Sequence, residues 1–257
     1  MSFDSRPHLL LALLLISIAS PAWANCTAPD AAAGRIAIDV DGVSRSFVLR
    51  MPAGVGTPAP VVFVYHPFGM NAQYMQSRVP IPRAWPEALV LYPEGSGVPA
   101  SWQNRPLERG DRDLHFFDAM LAWLHQHACI DDARVFVMGY SNGAALAYMI
   151  GCSRATVIAG LAIVSGRLGC MPSAPKPIVI RHGTRDDTIA YTQAIAASEA
   201  FSRANRCKAA PKPGVPGCVE ATDCASGRVV LCTDEGGHEY NPSFTAEAAT
   251  FFRNTLR

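Results

Sequence analysis

The feature that most limits the folds open to this chain is a series of short apolar runs, separated by segments long enough to hold a helix. Residues 61–65, 89–92, 135–138, 161–164 and 178–180 are continuously apolar. A strand that is apolar on both sides is buried on both faces, the situation of a strand inside a parallel sheet covered by helices. Between these runs, residues 113–127 have helical spacing, with Phe116, Met120, Trp123 and Leu124 on one side. Residues 144–150, 192–205 and 246–256 read as further helices, and 229–231 as a last strand. At the other end, residues 35–40 and 46–50 alternate like two antiparallel strands joined at Asp41-Gly42, a hairpin dipeptide. The pattern predicts an α/β fold, a mainly parallel twisted sheet with helices on both faces and an antiparallel N-terminal hairpin. Sites in such sheets gather outside the carboxyl ends of the strands, so candidate functional residues should directly follow strands.

Charge excludes some classes of partner. The formal net charge is +1, which gives no electrostatic footprint for nucleic acid or an anionic membrane. Arg6, an apolar run over residues 9–18 too short to span a bilayer, and the small-x-small sequence Ala22-Trp23-Ala24 read as a signal peptide over residues 1–24. Residues 25–257 are then one domain, starting at Asn25 and secreted or periplasmic. The chain contains eight cysteines, an even number, and export makes disulfides their natural use. No C-x-x-C pair is present and the histidines are not spaced around the cysteines, so no metal site is expected.

Gly139-Tyr140-Ser141-Asn142-Gly143 matches G-x-S-x-G. It follows a predicted strand and opens an apolar helix, the context in which such a serine is presented on a sharp turn. Side chains at the two glycines would collide with the neighbouring strand and helix. A serine hydroxyl needs a base, and the base an orienting carboxylate. Two groups follow later strands. One contains His182, Asp186 and Asp187; the other is Gly236-Gly237-His238. His238 is the expected base, and the acid is Asp186 or Asp187, which local physics does not separate. His66 and His182 are expected to satisfy loop backbone, and His115 precedes the serine in the chain. Two backbone donors for a developing oxyanion are expected from Asn142 and from the loop His66-Pro67-Phe68-Gly69, where Pro67 has no N–H and Phe68 is chosen. Phe68, Trp102 and Tyr240 are candidate substrate-binding residues, although Trp102 can equally anchor its own loop.

These motifs resemble the carbohydrate-esterase family of feruloyl esterases, acetylxylan esterases and poly(3-hydroxybutyrate) depolymerase-like α/β-hydrolases. The resemblance runs from about Arg45 to the C-terminus. It is carried by Cys129-Ile130-Asp131 before the strand and G-x-S-x-G, by Cys152-Ser153-Arg154, by Ser165-Gly166 and then Cys170, by His182-Gly183-Thr184-x-Asp186, and by Gly236-Gly237-His238. It implies an α/β-hydrolase fold, a Ser141–His238–Asp186 triad that selects Asp186 over Asp187, an acyl-enzyme, and no cofactor or metal. The substrate it implies is a feruloyl ester of plant cell-wall polysaccharide. The alternatives are a hydroxybutyrate polyester or oligoester, an acetylated xylan, or a binding module on a hydrolase fold that has lost activity. The chain departs from the family at His66-Pro67, where His-Gly is usual, and at Glu239-Tyr240-Asn241-Pro242, where Thr-Trp-Pro often follows G-G-H.

For the cysteines, residues 219–222 pairing back on 228–231 would set Cys218 opposite Cys232. Cys207 and Cys224 would join the preceding helix to the hairpin tip, as the corresponding family cysteines do. Cys129 precedes the nucleophile strand and Cys152 ends the following helix, so both are expected at the edge away from the site and bridged. Cys170 follows its strand and is placed at the opposite edge, leaving it to Cys26 by elimination.

Overall fold

Asp41 and Gly42 both have positive φ, 54° and 78°, the two-residue turn whose twist matches that of the strands it joins. It connects β1 (Gly34–Val40) to β2 (Val43–Arg50), with Val40 paired to Val43. The computed structural model describes residues 31–52 and 58–255. The expected signal peptide and Cys26 lie outside these residues. The sheet continues through β3 (Ala59–Tyr65), β4 (Leu89–Pro93), β5 (Ile130–Tyr140), β6 (Gly160–Val164), β7 (Ile178–Gly183), β8 (Ala209–Pro213), β9 (Cys218–Thr222) and β10 (Val229–Asp234). Its spatial order is β1-β2-β4-β3-β5-β6-β7-β10-β9-β8. The block from β4 to β10 is parallel throughout, and the antiparallel strands lie at the two edges.

The apolar runs form the buried centre. Every residue of β3, β4, β6 and β7 is buried, which requires helices above and below. One face is covered by α3 (Arg112–His127), α4 (Asn142–Ser153) and α5 (Thr192–Ala204), through residues such as Phe117, Leu146 and Phe201. The other is covered by α1 (Ala72–Arg78), α2 (Ile81–Ala84) and α6 (Phe244–Asn254), through Met75, Ile81 and Phe252. The α1 and α2 helices are too short to show a helical period. The β8 strand, Ala-Ala-Pro-Lys-Pro, is exposed along its whole length. Its prolines mask it as a strand in the sequence, yet an edge strand tolerates them because the unpaired side needs no donor. Among the described residues, no helix is long and apolar enough to cross a membrane.

Cys218 is bonded to Cys232, and Cys207 to Cys224. The other two expected bridges are corrected, because Cys152 is bonded to Cys170. That excludes both Cys129–Cys152 and Cys26–Cys170. The reason lies in the connection from β6 to β7. These strands are parallel neighbours, so residues 165–177 must return across the full depth of the sheet, and they contain no helix or strand. Cys170 is therefore not held at the upper edge but lies on the way down alongside α4. Its Sγ is 3.4 Å from the carbonyl of Tyr148, and Ser173 Oγ donates to the carbonyl of Cys152 at 3.1 Å. Cys129 is disulfide-bonded as well.

The bridged cysteines are 18 residues apart, and closing a loop of that length restricts the unfolded chain by about 3 kcal/mol. The double variant C152S/C170S should lose about that much stability in denaturant titrations. Non-reducing peptide mapping of the wild type should recover the Cys152–Cys170 peptide.

Candidate active site

Ser141 occupies the single residue between β5 and α4, at φ 54° and ψ −117°, a conformation that costs an L-residue free energy and persists only where its surroundings enforce it. The two glycines of the motif provide that enforcement. A Cβ on Gly139 would sit 2.2 Å from the carbonyl oxygen of Gly143, and one on Gly143 would sit 2.3 Å from that of Tyr65. Helix α4 can therefore pack its first turn directly on the ends of β3 and β5, leaving the serine side chain at the upper edge.

His238 is delivered by the loop after β10 and Asp186 by the loop after β7. Ser141 Oγ donates to His238 Nε2 at 2.8 Å, and His238 Nδ1 donates to Asp186 Oδ2 at 2.8 Å. The carboxylate accepts only, which fixes the proton on Nδ1 and the lone pair on Nε2. The loops carrying Asp186 and His238 lean on each other. A Cβ on Gly183 would lie 2.3 Å from the Gly236 carbonyl oxygen, and the amides of Thr184 and Arg185 donate to the carbonyls of Asp234 and Gly236.

The Asp186 side chain is fully buried. Burial alone would raise its pKa, but Asp186 Oδ1 accepts from the amides of Ile189 and Thr188, and together with His238 these bonds hold it below the usual carboxylate range. Among the described residues, Asp187 accepts only from the Thr188 hydroxyl. Tyr140 and His182, which the sequence did not mark as site residues, support the arrangement, and so does the side chain of Asn142. Tyr140 Oη donates to the carbonyl of His238 at 2.8 Å, and burial pushes this phenol up to about 12, so it remains a donor. The side chain of Asn142 accepts from the Trp102 amide at 2.7 Å and donates to the Trp102 carbonyl at 3.1 Å. His182 is fully buried, with Nε2 2.7 Å from the Ile189 carbonyl and 3.2 Å from Asp186 Oδ2. Its Nδ1 has no partner among the described residues, so the proton sits on Nε2 and faces the loop that carries Asp186.

The remaining histidines are elsewhere. His66 spans its loop, with Nδ1 donating to the Pro67 carbonyl and Nε2 accepting from the Gly95 amide, and burial lowers its pKa. His115 pairs with Asp41 and His125 with Asp132 on the surface. Asn142 is the first residue of α4, so its amide has no acceptor within the helix. In the loop after β3, the amide of Gly69 donates to Ala100 and that of Met70 to Pro67. Pro67 has no N–H, which leaves the Phe68 amide unpartnered among the described residues.

Two cavities meet at Ser141. One, of about 620 Å³, runs between Asn104, Arg105, Ala145, Arg167 and Met171. The other, of about 310 Å³, is bounded by Phe68, Met70, Tyr74, Tyr140 and His238. Phe68 is 59% exposed and lines the smaller one. Trp102 and Tyr240 line neither and are corrected as substrate-binding residues. Trp102 is 3% exposed, donates from Nε1 to the His66 carbonyl, and packs edge-on against Tyr65, so it anchors its loop. Tyr240 is 4% exposed, with its hydroxyl bonded to Thr245. A large aromatic on a loop is drawn into the core by the apolar area it buries, and sequence position alone does not show this.

Feruloyl esterase D of Neurospora crassa is 28% identical to this chain over 258 residues, covering 91% of the chain and 87% of the fungal protein. Feruloyl esterase C of Emericella nidulans is 28% identical over 217 residues, 77% of each protein. The acetyl xylan esterase of Aspergillus awamori superposes with a TM-score of 0.68 over 85% of this chain and 99% of its own, at 13% identity, a likeness of fold. In sequence the chain is similar to feruloyl esterases, and it has the α/β-hydrolase fold of the acetyl xylan esterase. It is a carboxylic ester hydrolase. No protein-family model matches it.

Replacing Gly143 by alanine in this hydrolase forces its new Cβ into backbone that has nowhere to move. The G143A variant should lose about 3 kcal/mol or more, or fail to accumulate as folded protein. A thermal melt matching wild type would show that the close approach is not obligatory.

Proposed function

We propose that the protein hydrolyses carboxylic esters through Ser141, His238 and Asp186, and that its acyl substrate is a hydroxycinnamoyl group. The observation that carries the reading is the continuous hydrogen-bonded chain from Ser141 Oγ through His238 to a carboxylate whose other oxygen is saturated by two amides. In this reading His238 takes the serine proton as Oγ attacks the ester carbonyl. Asp186 keeps the imidazole in the required tautomer and stabilises its cation. The amides of Asn142 and Phe68 receive the oxyanion. Collapse of the tetrahedral intermediate breaks the bond to the alcohol oxygen, which leaves with the proton from His238. Water then repeats the sequence on the acyl-enzyme. The ring-lined cavity of Phe68, Tyr74 and Tyr140 supports an aromatic acyl group, as do the two feruloyl esterases similar in sequence.

The reading includes export as one catalytic domain, with residues 1–24 as the removed signal. The three disulfides among the described residues support it. N-terminal sequencing of protein recovered outside the cytoplasm should begin at Asn25, and an uncleaved Met1 would reject that part.

S141A should abolish hydrolysis of methyl ferulate and labelling by a fluorophosphonate while the fold is kept. D186N should lower kcat by about 10⁴-fold, whereas D187N should cost far less because its carboxylate does not touch His238. Labelling of a residue other than Ser141, or the reverse order of the two aspartate variants, would overturn the assignment.

A further inference from the structure

The two cavities beside Ser141 are chemically unlike. The smaller has a wall of Phe68, Met70, Tyr74 and Tyr140. The larger contains two arginines, Arg105 and Arg167, and no aspartate or glutamate. Both arginines are exposed, and neither is ion-paired among the described residues. Arg35, Arg45, Arg134, Arg154, Arg181 and Arg228, by contrast, are each held by a carboxylate.

The two cations reach this cleft from loops fixed against each other. A Cβ on Gly169 would lie 2.4 Å from the Asn104 carbonyl oxygen, so the segments carrying Arg167 and Arg105 are in direct contact. Behind Arg105, the Asn104 amide is held by Glu108 and the Gln103 amide by Asp113. Behind Arg167, the chain is tied to α4 by the Cys152–Cys170 bridge. Two cations carried on fixed loops, with no carboxylate in the same concave wall, focus a positive potential on what enters, and a guanidinium fork matches a carboxylate in two parallel hydrogen bonds.

We infer that the larger cleft receives the alcohol half of the ester and that this alcohol carries a carboxylate. The inference rests on the esterase reading above and specifies its substrate. The ring-lined cavity takes the acyl group, because Phe68, Tyr74 and Tyr140 offer an aromatic acyl group rings to pack on. The larger cleft takes the leaving alcohol, and Arg105 and Arg167 hold its carboxylate while His238, beside Ser141 where the two cavities meet, returns the proton to the departing oxygen. Two sources share this chemistry: a uronic acid of an acidic saccharide, and a small hydroxy acid.

The test compares kcat/KM for three feruloyl esters that differ only in the alcohol: arabinose, galacturonate and 3-hydroxybutyrate. Wild type should favour at least one acidic alcohol over arabinose by about tenfold or more, the equivalent of one charge-assisted contact. The better of the two acidic esters identifies the source. The preference should shrink for the unaltered enzyme at about 0.5 M salt, where exposed charges are screened, and should fall to near unity in R105Q/R167Q. Equal turnover of all three esters would overturn the inference and leave the esterase reading standing. So would a preference that survives loss of both arginines. An enzyme inert toward all three would overturn both.

Discussion

The upper edge of this molecule depends on the absence of a side chain at residue 143. The first turn of α4 lies so close to the end of β3 that a single methyl group would overlap the Tyr65 carbonyl. That contact fixes where the helix starts and therefore where Ser141 stands. It also brings Asn142 within reach of Trp102, whose backbone the Asn142 side chain grips from both sides. Trp102 in turn bonds the His66 carbonyl and packs on Tyr65. The loops after β3, β4 and β5 thus form one closed unit around the elbow. The loops after β7 and β10 form a second, locked by Gly183 against Gly236, and Tyr140 joins the two through the His238 carbonyl.

Much of this was legible in the sequence because parallel strands impose a simple rule. A continuous apolar run such as 61–65 or 161–164 has one burial state compatible with it, and the residue after the run must emerge at the functional edge. Ser141, Asp186 and His238 each obey that rule, and the structure brings them together. Side-chain direction on longer loops was less legible. Trp102 and Tyr240 both lie in loops at that edge, yet each turns inward, because a buried partner accepts its polar atom while its ring fills the core. The supporting roles of Tyr140 and His182 left no pattern of their own. Tyr140 occupies the variable position of G-x-S-x-G, and His182 reads as an ordinary strand-end residue until Ile189 is folded back over it.

The disulfide correction has the same origin. Placing Cys170 required knowing what happens between β6 and β7, and the sequence shows only that no helical period is present there. A parallel neighbour with no crossover helix forces the loop itself to descend the sheet. Cys170 then meets the C-terminal part of α4 instead of remaining where its strand ended. The edge strand β8 was hidden for a different reason, since its prolines are compatible with pairing on one side only.

The path of residues 165–177 has a consequence for how such a molecule can change. It leaves β6 at Ser165, whose amide is bonded to the Arg181 carbonyl, and is staked to α4 at Cys170. Between these two anchorages the backbone is a short span along the cleft, fixed at one end by a backbone hydrogen bond and at the other by the Cys170 disulfide. Arg167 is exposed there and can be exchanged without redirecting the chain, whereas Leu168 packs on the core, so the charge of the cleft becomes a trait that can drift independently of folding.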